Sequence, residues 1–163
     1  MRTMLGSIPA SIVMLITAAT SGHAQVLPLE MIRTAYETIA KDQWLGKTDP
    51  SDVGVAPKSL TAKWFTTRFV GALQKNAKCW ATGKGGPIVS IWYATQDHDI
   101  KDSKIVQAED SKDKQVVRAD FSNFNKPEKR DFIFKKAGND WRIDEVSADG
   151  KGLYALMMKG CAS

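Results

Sequence analysis

From Pro28 onward the apolar residues Leu29, Ile32, Tyr36 and Ile39 recur at steps of three and four, with Glu30, Arg33, Glu37 and Lys41 between them. That period wraps one apolar stripe along a helix, and Pro28 suits its first turn, where a missing N–H costs nothing. Residues 46–57, rich in Gly, Pro, Asp and Ser, read as a loop, after which Ser59 offers a side-chain oxygen to cap a second helix. The inner face of that helix is Ala62, Phe65, Phe69, Ala72 and Leu73, with Lys63, Thr67, Gln74 and Lys75 outside, and its end is expected at 76–78. The Gly-rich stretch 83–87 is punctuation, and the β-branched and aromatic run 88–93 predicts a strand or a buried extended segment.

Beyond Lys101 the period falls to two. Four runs (103–108, 115–121, 129–136 and 141–146) are separated by charged or turn residues, and Val117/Ala119/Phe121, Arg130/Phe132/Phe134 and Trp141/Ile143 alternate. Gly138 and Asn139 can both take positive φ in a hairpin turn, Asn125-Lys126-Pro127 closes the hairpin before it, and a short last helix holds Leu153, Leu156 and Met157. Helices followed by an antiparallel meander define an α+β fold: N-terminal helices packed on one face of a twisted antiparallel sheet, with a short C-terminal helix.

The first 24 residues follow a different rule. Arg2 precedes an apolar run from Ile8 to Ala19, 12 residues long, where a membrane span needs about 20. Gly22 and Ala24 then occupy the small-residue positions that a signal peptidase reads. Cleavage is expected between Ala24 and Gln25, leaving 25–163 as a single domain, periplasmic or secreted, with no membrane span. A chain of that size buries nearly 70% of the surface its unfolded form exposes, enough for one core.

Removing the leader leaves 22 basic and 18 acidic residues, a net charge of +4. Charges alternate in sign from Lys101 to Lys114, which describes a solvated edge and not a phosphate-tracking stripe, so nucleic acid is not an expected partner. The two cysteines, Cys79 and Cys161, form an even pair in an exported chain and predict a disulfide. Its long loop sets an upper stabilisation of about 4.5 kcal/mol.

Ala35-Tyr36 in the first helix, Ser59-Leu60 at the start of the second, the central segment Ala94-Thr95-Gln96-Asp97-His98-Asp99-Ile100, and Trp141-Arg142-Ile143-Asp144-Glu145-Val146 followed by Gly152-Leu153-Tyr154-Ala155-Leu156 form a distinctive set. With these residues the chain resembles the domain-of-unknown-function 3828 family of secreted bacterial proteins, over nearly the whole of 25–163. The resemblance implies a cystatin-like, nuclear-transport-factor-2-like α+β fold and no particular activity. The chain departs from that pattern at Ser90 and Trp92, where a further acidic residue stands in the family.

Candidate chemistry concentrates at Gln96-Asp97-His98-Asp99, beside Trp92 and Tyr93; His98 is the only histidine beyond the leader. In a functional role, Asp97 or Asp99 would be a general base or metal ligand and His98 a proton shuttle. As a structural one, an aspartate there caps a turn through backbone amides. In an extended chain Asp97 and Asp99 share one face and His98 takes the other, so a triad would need a turn. One histidine, scattered acids and a paired Cys79 make no zinc set, and Asp97, Asp99 and Asp102 are too few for a calcium loop, so no metal is expected. No strand precedes the Gly-rich stretch and no Gly-Lys-Ser or Gly-Lys-Thr ends it, which excludes a phosphate loop, and there is no Gly-x-Ser-x-Gly elbow. No cofactor is expected. Trp141 belongs in the core, while Trp44, Trp80 and Trp92 lie in or near loops, where one of them could line a pocket or meet a partner.

Two readings follow. The first is a non-catalytic binding or interaction module for a small ligand or another envelope protein, of inhibitor or immunity type, with Trp92, Tyr93, Gln96 and Asp97 as binding residues. The second is a small acid/base enzyme using Asp97, His98 and Asp99.

Overall fold

The computed structural model describes residues 27–41, 63–82, 91–93 and 99–159. Its elements run α1 (Pro28–Ala40), α2 (Thr67–Ala81), β1 (Ile100–Asp110), β2 (Lys114–Asn123), β3 (Lys126–Ala137), β4 (Asp140–Ala148), β5 (Lys151–Gly152) and α3 (Leu153–Met158). The strands form one antiparallel sheet in the order of the chain. This is the expected α+β class.

Helix α1 starts at its proline and turns Met31, Ile32, Ala35, Tyr36 and Ile39 inward, whereas Leu29 is only half-buried. The second helix differs from the single rod that its spacing predicts. Lys63 and Trp64 are helical, Phe65 then pairs with Ile143 of β4 in a parallel bridge, and the helix restarts at Thr67. Thr66 is the working cap: its N–H donates to the Ile143 carbonyl at 2.9 Å and its Oγ1 accepts from the Phe69 N–H at 3.3 Å. The chain breaks here because strand pairing at β4 competes with the next helical turn. Ser59 and Ala62 lie outside the described residues, Phe65, Phe69, Ala72 and Leu73 are buried, and the helix runs on to Ala81.

All four predicted strand runs pair, each longer than its alternation shows. Ile133 pairs with Glu145 and Phe134 with Ile143, so Asp144 is an extra residue, a bulge in β4. The bulge resets the alternation, so that Ile143 and then Val146 face the core. The three tight turns differ in chemistry. Phe124–Asn125 has φ of +49° and +59° and Asp149–Gly150 has +49° and +78°, both pairs positive as in a type I′ hairpin. Between β3 and β4 only Gly138 is positive (φ +68°), so Asn139 does not share the left-handed role expected of it.

Ile32, Tyr36, Phe65, Phe69, Phe121, Phe132, Phe134, Trp141 and Ile143 are all buried. Helix α1 packs on β1 and β2, while α2 and α3 pack on each other and on β4. In α3 only Leu153 and Met157 turn inward and Leu156 is exposed, since a helix under two turns long has room for one buried stripe. Segment 91–93 is buried but forms no strand; residues 88–90 lie outside the described residues.

Candidate functional site

Two polar clusters interrupt this core. The first surrounds Asp144, whose position in the bulge turns its side chain toward the start of α2. Its Oδ1 accepts from Thr66 Oγ1 (2.9 Å) and Arg68 Nε (3.1 Å), and its Oδ2 from Arg68 Nη2 (3.0 Å) and Lys135 Nζ (2.9 Å). Burial pushes the Asp144 carboxyl up, but the hydrogen bonds from Arg68, Lys135 and Thr66 and the Arg68 charge outweigh it and hold it at about 2. The Arg68 guanidinium also lies over the Tyr154 ring, 3.8 Å from its centroid. Next to it, Glu145 Oε1 accepts from the Tyr154 and Val146 N–H groups, which gives α3 the cap that Gly152 cannot supply. A Cβ on Gly152 would stand 3.0 Å from that carboxylate. Every group in this cluster has a partner; it joins α2, β4 and α3.

The second cluster lies at the end of the sheet nearest the β2–β3 turn, on the face that α1 covers. Asn123, Arg130 and the half-buried Glu128 occupy inward positions of β2 and β3, in line with Phe121 and Phe132. Arg130 is 3% exposed and donates from Nη2 to Glu128 Oε2 at 3.3 Å and from Nη1 to the Lys129 carbonyl at 3.0 Å. Asn123 Nδ2 donates to Glu128 Oε1 at 3.0 Å. Tyr36, fully buried, donates its hydroxyl to the Trp92 carbonyl at 2.7 Å and packs on Phe121, Trp92 and Phe132 with ring centroids 5.0 to 6.2 Å away. Burial drives the Tyr36 hydroxyl well above its ordinary range; the Arg130 charge pulls it down and Glu128 pushes it up, so it remains a neutral donor.

Two N–H groups here have no acceptor among the described residues: Arg130 Nε and the Trp92 indole Nε1, both buried. Buried donors in native proteins are nearly always paired, and an orphan costs about 1–3 kcal/mol, more where the group is charged. These two stand out against the fully partnered Asp144 cluster.

Of the residues the sequence singles out, Asp99 borders this cluster. Its N–H donates to Asn123 Oδ1 (2.9 Å), its carbonyl accepts from the Phe124 N–H (3.3 Å), and its carboxylate pairs with Lys101 Nζ (2.8 Å). The backbone thus holds Asp99 against the β2–β3 turn, and the carboxylate makes no cap of its own there. Trp92 and Tyr93 are 1% and 2% exposed, so they are core residues and present no open binding surface; Trp92 packs edge-on against Trp64 and tilted against Phe132. Gln96, Asp97, His98 and Trp44 lie outside the described residues. So does Cys161, while Cys79 is buried in α2 and is not free. No group of metal-ligating side chains occurs among the described residues, and no helix among them is long and apolar enough to cross a membrane.

Asn123, Glu128 and Arg130 are the site residues that the sequence reading passes over. The signal was present: Arg130 shares the parity of Phe132 and Phe134, and a charged residue on the inward face of a strand is rarely neutral to function. Comparison with protein-family models, with curated proteins and with solved structures finds no match.

Proposed function

We propose that this chain is an exported, non-catalytic binding module, and that it takes a small ligand at the polar end of its core. The observation that carries this reading is two buried donors without an acceptor among the described residues, Arg130 Nε and Trp92 Nε1, with Tyr36 and Trp92 both packed on Phe132. Glu128 already neutralises Arg130, so the ligand that suits the site is uncharged and largely apolar and presents carbonyl or ether oxygens to the two N–H groups. The pairing of Asp99 with Lys101 supports binding over acid/base catalysis, since a general base needs its carboxylate free to reach a proton.

Native mass spectrometry of protein recovered from the exporting cells tests it. A small molecule is expected to remain bound under gentle conditions and to leave on denaturation. Arg130→Met, which keeps the stem and removes the donors, is expected to abolish the extra mass. Undiminished retention by that variant overturns the assignment of the site. A folded His98→Ala protein that has lost its cellular role overturns the binding module in favour of the acid/base enzyme.

A further inference from the structure

The carboxylates are unevenly spread. Residues 53–96 and 150–163 contain no Asp or Glu and hold eight Lys and Arg, whereas the rest of 25–163 carries 14 basic and 18 acidic residues. The two acid-free stretches are distant in sequence, yet the fold sets them side by side as α2 and α3. Lys75 Nζ donates to the Met158 carbonyl at 2.9 Å, which brings the exposed α2 lysines Lys75 and Lys78 to the C-terminal end of α3, where Lys159 follows. None of these three lysines pairs with a carboxylate among the described residues. Leu156 and Met158, at 39% and 38% exposure, stand beside them as two of the larger apolar side chains left open to water.

We propose that this α2–α3 face docks on a membrane surface rich in anionic phospholipid. Positive charge without counter-charge is drawn to a negative lipid surface, and short apolar side chains among the cations enter the headgroup boundary. The exposed cations of α2 and α3 that have no carboxylate partner among the described residues are lysines only. Lysine is depleted at protein–protein interfaces, but its flexible stem lets it lie along an apolar boundary with its ammonium among phosphates. An anionic bilayer therefore fits the face better than an acidic protein does. Arg68, the one arginine of α2, is turned aside onto Asp144 and Tyr154.

The test is cosedimentation with vesicles one-third phosphatidylglycerol in phosphatidylcholine and with pure phosphatidylcholine, using the protein as the exporting cell delivers it. The quantity read is the ratio of anionic to neutral binding. A ratio well above unity that collapses in high salt is expected. Each lysine near an anionic surface is worth about fivefold, so Lys75→Glu/Lys78→Glu/Lys159→Glu is expected to lower anionic binding by about 100-fold or more. Because Lys75 also braces α3, Lys78→Glu/Lys159→Glu serves as a second variant, with a loss of about 25-fold expected. Lys104→Glu/Lys112→Glu, on β1 and in the β1–β2 turn, is the control and should retain most of the binding. A ratio near unity, or an equal loss in the control, overturns the proposal.

Discussion

Arg68 and Asp144, 76 residues apart, meet through three hydrogen bonds: Nε and Nη2 on the carboxylate at 3.1 and 3.0 Å, and Nη2 on the Asp144 carbonyl at 2.7 Å. The Asp144 carboxyl titrates at about 2 in the fold against 3.8 ordinarily. Its folded value is depressed, so its contribution is complete above about pH 4 and is lost as the pH falls through 2. The Arg68 side chain is 42% exposed, and screening leaves about 1–2 kcal/mol for the group. Urea unfolding of Asp144→Asn should show that loss at pH 7 and little difference from the parent chain at pH 2.

The cap at Thr66 is the second element of that junction. Thr66→Ala removes both the cap on the Phe69 N–H and a hydrogen bond to Asp144, and should cost about 1–2 kcal/mol. Phe69→Ala, at a fully enclosed site stacked on Phe65 at 5.6 Å, should cost about 3–5 kcal/mol. A loss for Phe69→Ala below that for Thr66→Ala in equilibrium denaturation would contradict this packing.

At the β2–β3 turn, Phe124 holds φ +49° and the residue is 48% exposed. A bulky side chain is strained in the left-handed region, and asparagine favours it in type I′ turns. Phe124→Asn should raise the midpoint of thermal unfolding, equivalent to about 0.5–1 kcal/mol. A fall would mean that the exposed ring makes a contact worth more than the strain.

The hairpins and the apolar stripe of α1 were legible in the sequence because each depends on neighbours a few residues away. The break at Phe65 was not, since the spacing of Phe65, Phe69 and Leu73 is helical throughout and the competing partner, Ile143, lies far along the chain. Asp144 likewise reads as an ordinary member of Trp141-Arg142-Ile143-Asp144 until the pairing of β3 and β4 makes it a bulge. The candidate site was half legible. Asp99 was singled out for its carboxylate, but the fold uses its backbone, and the buried charge of Arg130 was hidden among the phenylalanines of its own strand.

Cys79 sits fully buried near the end of α2, and we propose Cys161 as its bridge partner. Intact mass after alkylation without reductant should show no labelled thiol, and reduction should expose two. Labelling of both without reductant would remove the bridge. Such a bridge would tie the C-terminal tail to α2.

The separation between α2 and its anchor also sets an order of events. A chain that emerges from its N-terminus presents Thr66 and Arg68 long before Asp144, and through that interval the broken helix has neither its strand partner nor its carboxylate. The meander needs only adjacent hairpins and can close as it appears, whereas docking of α2 waits for β4. The α2–α3 side of the helical layer is thus the last part of the core to seal, after α1 has its partners in β1 and β2, and Phe65 and Phe69 are exposed in the meantime. Any holding factor that guards this chain before it is folded would find its apolar target there.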